Sequence, residues 1–165
     1  MEEKLKNVEK ETLLQAAISK FSIDECEKIM KVCKANKIEI AGSVFLRTSK
    51  QLKENVEYIN ENFGKEYILP LIVSKSKKNL EKVLPFLKEK GVLTTLKTSA
   101  SILYLTKEEI EDRMRYLEKH KQPFIVDNGK KMIFDSVFGL SRKKYKELVE
   151  KNNEIVRWLK YRAGF

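Results

Sequence analysis

The chain has 165 residues, 42% hydrophobic and 35% charged, with 34 basic and 24 acidic side chains for a net charge of +10. That hydrophobic content is enough for a buried core, and only three prolines and six glycines argue against a β-rich or disordered chain. No apolar run is long enough to span a bilayer, and the charged residues 1–11 lack the apolar segment of a signal peptide, so the expectation is an intracellular, cytoplasmic protein with no membrane partner.

In chain order, residues 1–21 are a lead-in whose Leu5, Val8, Leu13, Leu14, Ala17, Ile18 and Phe21 keep helical spacing. From Ser22 onward a frame recurs: a Ser or Thr, then apolar residues four, eight and eleven positions later. It is clearest over 44–59, 72–87 and 101–117. There Leu52, Leu80 and Ile110 correspond, as do Val56, Leu84 and Met114. The helices then close on the pairs Tyr58-Ile59, Phe86-Leu87 and Tyr116-Leu117. Weaker copies flank these, with Cys26, Met30 and Cys33 after Ser22, and Tyr145 and Val149 after Ser141. The marker positions are 22, 48, 76, 106 and 141, a spacing that belongs to helical arrays.

The frame has a local cause. Apolar positions four and then three residues apart share one face of a helix. The Ser or Thr before them is an N-cap, and Glu25, Gln51 and Glu109 complete capping boxes with Ser22, Thr48 and Thr106. Gly64 and Gly91 read as C-terminal stops, and Pro85 as an internal kink. Between the long helices, 36–46, 66–69 and 92–100 read as shorter return elements. Asp127-Asn128-Gly129 is a turn, and the segments around it, 124–126 and 131–134, read either as irregular chain or as a small β-hairpin. Helices at 141–151 and 153–162 close the array. The expected fold is all-α: a right-handed α-solenoid of about five helix-pair repeats in one domain, 1–165.

The frame resembles the repeat of the mitochondrial transcription termination factor (mTERF) family: a proline, two apolar residues, a Ser, three residues, Leu, and an aromatic–Leu pair at the helix end. The run from Pro70-Leu71-Ile72-Val73 to Phe86-Leu87 matches best, and Leu103-Tyr104-Leu105-Thr106 to Tyr116-Leu117 comes next. Ala16, Gly42, Ala100 and Asp135 stand at the proline position elsewhere. The chain is shorter than typical members and shows no transit peptide, which points to a short prokaryotic type of relative. The resemblance implies an α-solenoid that binds duplex nucleic acid along a basic path, in a transcription-related role.

The charge is uneven. Residues 1–60 carry 11 basic and 10 acidic groups, residues 61–165 carry 23 and 14. A basic excess favours phosphate backbones through counterion release, although lysines spread over solvated faces give the same count. Two helix starts lack the capping-box acid: Ser76-Lys77-Lys78-Asn79 and Ser141-Arg142-Lys143-Lys144. Cations there oppose the helix dipole, and a bound phosphate would reverse that cost. With Arg47 and Lys75 just ahead of two caps, the candidate nucleic-acid contacts are Arg47, Lys75, Lys77, Lys78, Arg142, Lys143 and Lys144. Arg157-Trp158-Leu159-Lys160-Tyr161-Arg162 either stacks bases or, the blander reading, docks the last helix.

Signals for catalysis are weak. His120, the single histidine, reads as a solvated turn residue. Glu108, Glu109, Glu111 and Asp112 read as a salt-bridged face with Lys107, Arg113 and Arg115, and Cys26 and Cys33 as buried thiols. No zinc pattern and no phosphate-cradling glycine loop is present. The expectation is a non-enzymatic protein without metal or cofactor. It binds DNA or RNA, or alternatively grips a protein partner on a curved helical surface.

Overall fold

The computed structural model describes residues 21–122, 124–133 and 137–151. The lead-in, the Arg157 to Arg162 run and Asp135 lie outside them. The described chain is mostly helical: α1 (Ile23–Ala35), α2 (Ser49–Asn62), α3 (Pro70–Val73), α4 (Lys77–Glu89), α5 (Lys107–Lys119) and α6 (Arg142–Lys151). A two-stranded hairpin, β1 (Ile125–Asp127) and β2 (Lys130–Met132), is the one sheet among the described residues. No helix there is long and apolar enough to cross a membrane. The chain divides into two compact units, 1–80 and 81–165.

Each long helix starts where the spacing places it. The hydroxyls of Ser22, Thr48, Ser76, Thr106 and Ser141 accept from the backbone N–H three residues on, at 3.2–3.3 Å. Thr48 with Gln51 and Thr106 with Glu109 are complete capping boxes. The Ser22 box is half made, because the Glu25 carboxylate accepts instead from the N–H of Ser49 at the start of α2. That bond holds the Glu25 carboxyl below its ordinary range.

The ends are equally regular. The N–H of Ile38, Val92 and Gln122 closes onto the carbonyl of Cys33, Leu87 and Leu117, five residues back, in Schellman fashion. The residue before each of these has positive φ: Lys37 (56°), Gly91 (72°) and Lys121 (56°). Lysine there costs about 1–2 kcal/mol of local strain. Lys37→Gly is therefore expected to stabilise the protein by roughly 0.5–1 kcal/mol after the entropy cost of glycine, read by urea unfolding. Pro85 lies within α4 and does not end it.

The return elements differ from the helix pairs expected. They are 3₁₀ turns of three to five residues at Lys65–Tyr67, Leu93–Lys97 and Ala100–Tyr104, with a further one at Gly42–Leu46. The connection from α2 to α4 also holds the four-residue α3, and most of the variation in spacing falls in the connections. A short helical turn opens six residues before the cap at Gly42, Pro70 and Ala100, so the proline position marks a turn start whatever its occupant. The two apolar residues that follow inside it, Val44-Phe45, Ile72-Val73 and Ile102-Leu103, are buried, as are Val137 and Phe138 before Ser141.

In the first unit these pairs pack with Ile29, Cys33, Leu52 and Ile59. In the second, the core includes Leu84, Leu87, Leu96, Ile110, Leu117 and Leu148. The hairpin takes up the longest spacing. Asn128 (φ 47°) and Gly129 (φ 76°) form its two-residue turn, and Ile125 pairs Met132. Thr94 donates to the Lys131 carbonyl, and the Thr95 hydroxyl accepts from the N–H of Ile133, which ties β2 to the turn at Leu93–Lys97.

Candidate nucleic-acid interface

In the first unit, four of the expected contacts occupy one stretch of backbone or face it. Asn55, only 1% exposed, donates from its amide to the carbonyls of Val73 and Lys75, both at 2.8 Å. Arg47 donates Nε–H to the carbonyl between them, Ser74, at 2.9 Å. Three successive carbonyls are thus fixed by two side chains of the preceding repeat. The consequence is a like-charge pair: Lys75 is held half-buried beside Arg47. Burial, and then the Arg47 charge, push the Lys75 ammonium down to about 8. Lys77 and Lys78 follow in the first turn of α4. Both are exposed and without an ion-pair partner among the described residues, and that turn holds no acid.

Lys75 supplies a direct check. Its amine is expected to titrate near 8 in the folded protein, against about 10.4 for an ordinary lysine, as seen by NMR. Below 8 both folded and unfolded chains carry the proton. Between 8 and the unfolded value the unfolded chain alone keeps it, so this group adds stability as pH rises through that window.

The second unit treats its basic start differently. Arg142 grips Glu109 with two donors, Nε to Oε1 and Nη2 to Oε2 at 3.0 Å. Arg142, foremost, and the Thr106 N–H hold the Glu109 carboxyl below its usual range. Arg142 is therefore already neutralised, unlike Lys143 and Lys144, which are exposed and have no ion pair among the described residues. Beside it, Glu108, Glu109, Asp112, Arg113, Arg142 and Tyr145 line a cavity of about 370 Å³. Three carboxylates against two guanidiniums make it a poor seat for phosphate.

The acidic face is partly as expected. Lys107 pairs Glu111 at 3.9 Å and Arg115 pairs Asp112 at 3.6 Å. Arg113 does not join it. It is 1% exposed, and Nη1 donates to the carbonyls of Val137 (2.6 Å) and Leu140 (2.8 Å) while the guanidinium lies over the Tyr145 ring at 4.5 Å. His120 also differs from a solvated turn residue. Its ring packs on Tyr116 at 4.5 Å, and Nε2 is buried without a hydrogen-bond partner among the described residues. Cys26 and Cys33 are free and buried, and burial raises the Cys33 thiol to about 11. Among the described residues no group of His, Cys, Asp or Glu has the arrangement of a metal site.

Sequence spacing missed Asn55 and Arg113 because both are polar residues on an inward face. The one available signal is their shared register, seven residues after Thr48 and Thr106. The class defined by these features is a helical protein with repeating, capped helices and basic residues at helix starts. No family model matches the sequence, and no curated protein or solved structure matches the chain.

Proposed function

We propose that this chain is a nucleic-acid-binding helical-repeat protein, contacting the phosphate backbone of duplex DNA or RNA through Arg47, Lys75, Lys77 and Lys78, with Lys143 and Lys144 as further contacts. The observation that carries the reading is the Arg47–Lys75 pair. Two cations are set side by side, one of them half-buried, on a backbone whose carbonyls are already bonded. An anion placed there is attracted by both charges at once. The two exposed lysines that follow extend the same positive surface. In this reading the repeats continue as an mTERF-like, right-handed α-solenoid of about five units. Arg142 is dropped from the contact set, because phosphate would have to compete with Glu109 for it.

The test is fluorescence anisotropy with random duplex DNA, single-stranded DNA and RNA at about 50 and 200 mM salt. Micromolar or tighter binding that falls steeply with salt is the expected result. Absence of binding at the lower salt removes this reading in favour of a protein partner. Binding should also weaken as pH rises through 8, because phosphate favours the charged form of Lys75.

A further inference from the structure

We infer that the residue seven positions after each N-cap is the junction residue of the repeat: where it carries a donor, it pins the chain that enters the next repeat. The five occupants are Ile29, Asn55, Val83, Arg113 and Leu148, and all five are buried. Three are apolar. The other two differ in size and charge and lie in different units, yet they reach equivalent targets. Asn55 bonds the carbonyls three and one residues before the Ser76 cap. Arg113 bonds those four and one residues before the Ser141 cap.

The physical reason lies in the short turn that precedes the caps at Thr48, Ser76 and Thr106. A helical turn of four or five residues ends with carbonyls that have no partner within it, and burial makes those carbonyls costly. The turn at Pro70–Val73 closes against α2, so a donor projecting inward from α2 meets them. Arg113 does the same for the chain leading to Ser141, and its guanidinium also covers Tyr145, four residues into the next helix. A buried guanidinium with two carbonyls as its hydrogen-bond partners is an expensive way to fill space. Leucine or methionine would fill it without that cost. What the arginine adds is direction: it fixes where the next helix begins. Ile29 and Val83 offer no donor, so this position contributes packing alone there, and at the first junction the Glu25 carboxylate reaches the next helix start through Ser49 instead.

Hydrogen exchange on the whole chain tests this, since no ligand is required. Asn55→Leu is expected to speed exchange at Asn79 and Leu80, whose N–H groups bond Ser76, at least tenfold more than at Val56 and Ile59 in its own helix. Arg113→Met and Arg113→Gln have similar length but differ in donor capacity. Gln is expected to keep the Lys144 and Tyr145 amides protected and Met to lose that protection. If Met fails to fold, a folded Gln variant is still the expected result. Equal exchange in the Met and Gln variants, a uniform rise through the molecule in Asn55→Leu, or unfolding of both Arg113 variants overturns the assignment.

Discussion

Combined replacement of Lys75, Lys77 and Lys78 by glutamate is expected to lower affinity for random duplex DNA by at least about a hundredfold near 50 mM salt. Each phosphate contact adds about 0.9 to the slope of log affinity against log salt, so losing three flattens it by nearly 3. Reversing the charges also repels the backbone, which makes a hundredfold a lower bound. The fold should survive. Lys77 and Lys78 are exposed in the first turn of α4, where a carboxylate suits the helix dipole better than an ammonium, and Lys75 is only half-buried. Arg142→Glu is the informative contrast. It places a carboxylate against Glu109, so it should disturb the start of α6 while changing DNA affinity far less than the triple variant. Anisotropy with a parallel urea titration separates the two effects. An unchanged salt slope in the triple variant would remove these lysines from the interface even if affinity dropped.

What the sequence made legible is what happens within one turn of helix. All five cap hydroxyls make their bonds, because an N-cap depends on the residue and the three after it. The apolar position eleven residues after the cap is buried in Cys33, Ile59, Leu87 and Leu117 for an equally local reason, since its own carbonyl or its neighbour's closes the helix end. Gly91 was readable as a stop, whereas Lys37 and Lys121 take the same left-handed position without the residue type that signals it. Contacts between repeats were not readable. Glu25 looked like a capping-box acid and serves Ser49, and Arg142 looked like a phosphate contact and serves Glu109. In both cases an acid three residues into one helix meets the first residue of the next, a geometry that exists only once helices pack. Asn55 and Arg113 were hidden by the rule that polar residues face water. The apolar residue one step further on is buried too in Val56, Leu84 and Met114, so the stripe is right in the three clear copies and shifts in the last, where Val149 is exposed and Leu148 buried.

The buried position eleven residues after the cap sets up the second large effect, on stability. Ile59→Ala is expected to cost about 2–5 kcal/mol, the range for truncating a fully buried aliphatic side chain. Ile59 has no solvent exposure, and its carbonyl accepts from both Phe63 and Gly64 where α2 ends. The alanine leaves a cavity where α2 packs in the first unit, and the surrounding core relaxes only partly into it. Leu46→Ala, in contrast, removes as many carbons from a side chain that is 53% exposed, and should change stability by no more than about 0.5 kcal/mol. Urea unfolding reads both: the midpoint should fall sharply for Ile59→Ala with the slope unchanged, and stay in place for Leu46→Ala. The reverse ranking would mean that Leu46 is covered in solution, and would make the turn ahead of Thr48, not the helix face eleven residues after it, the packed side of the repeat.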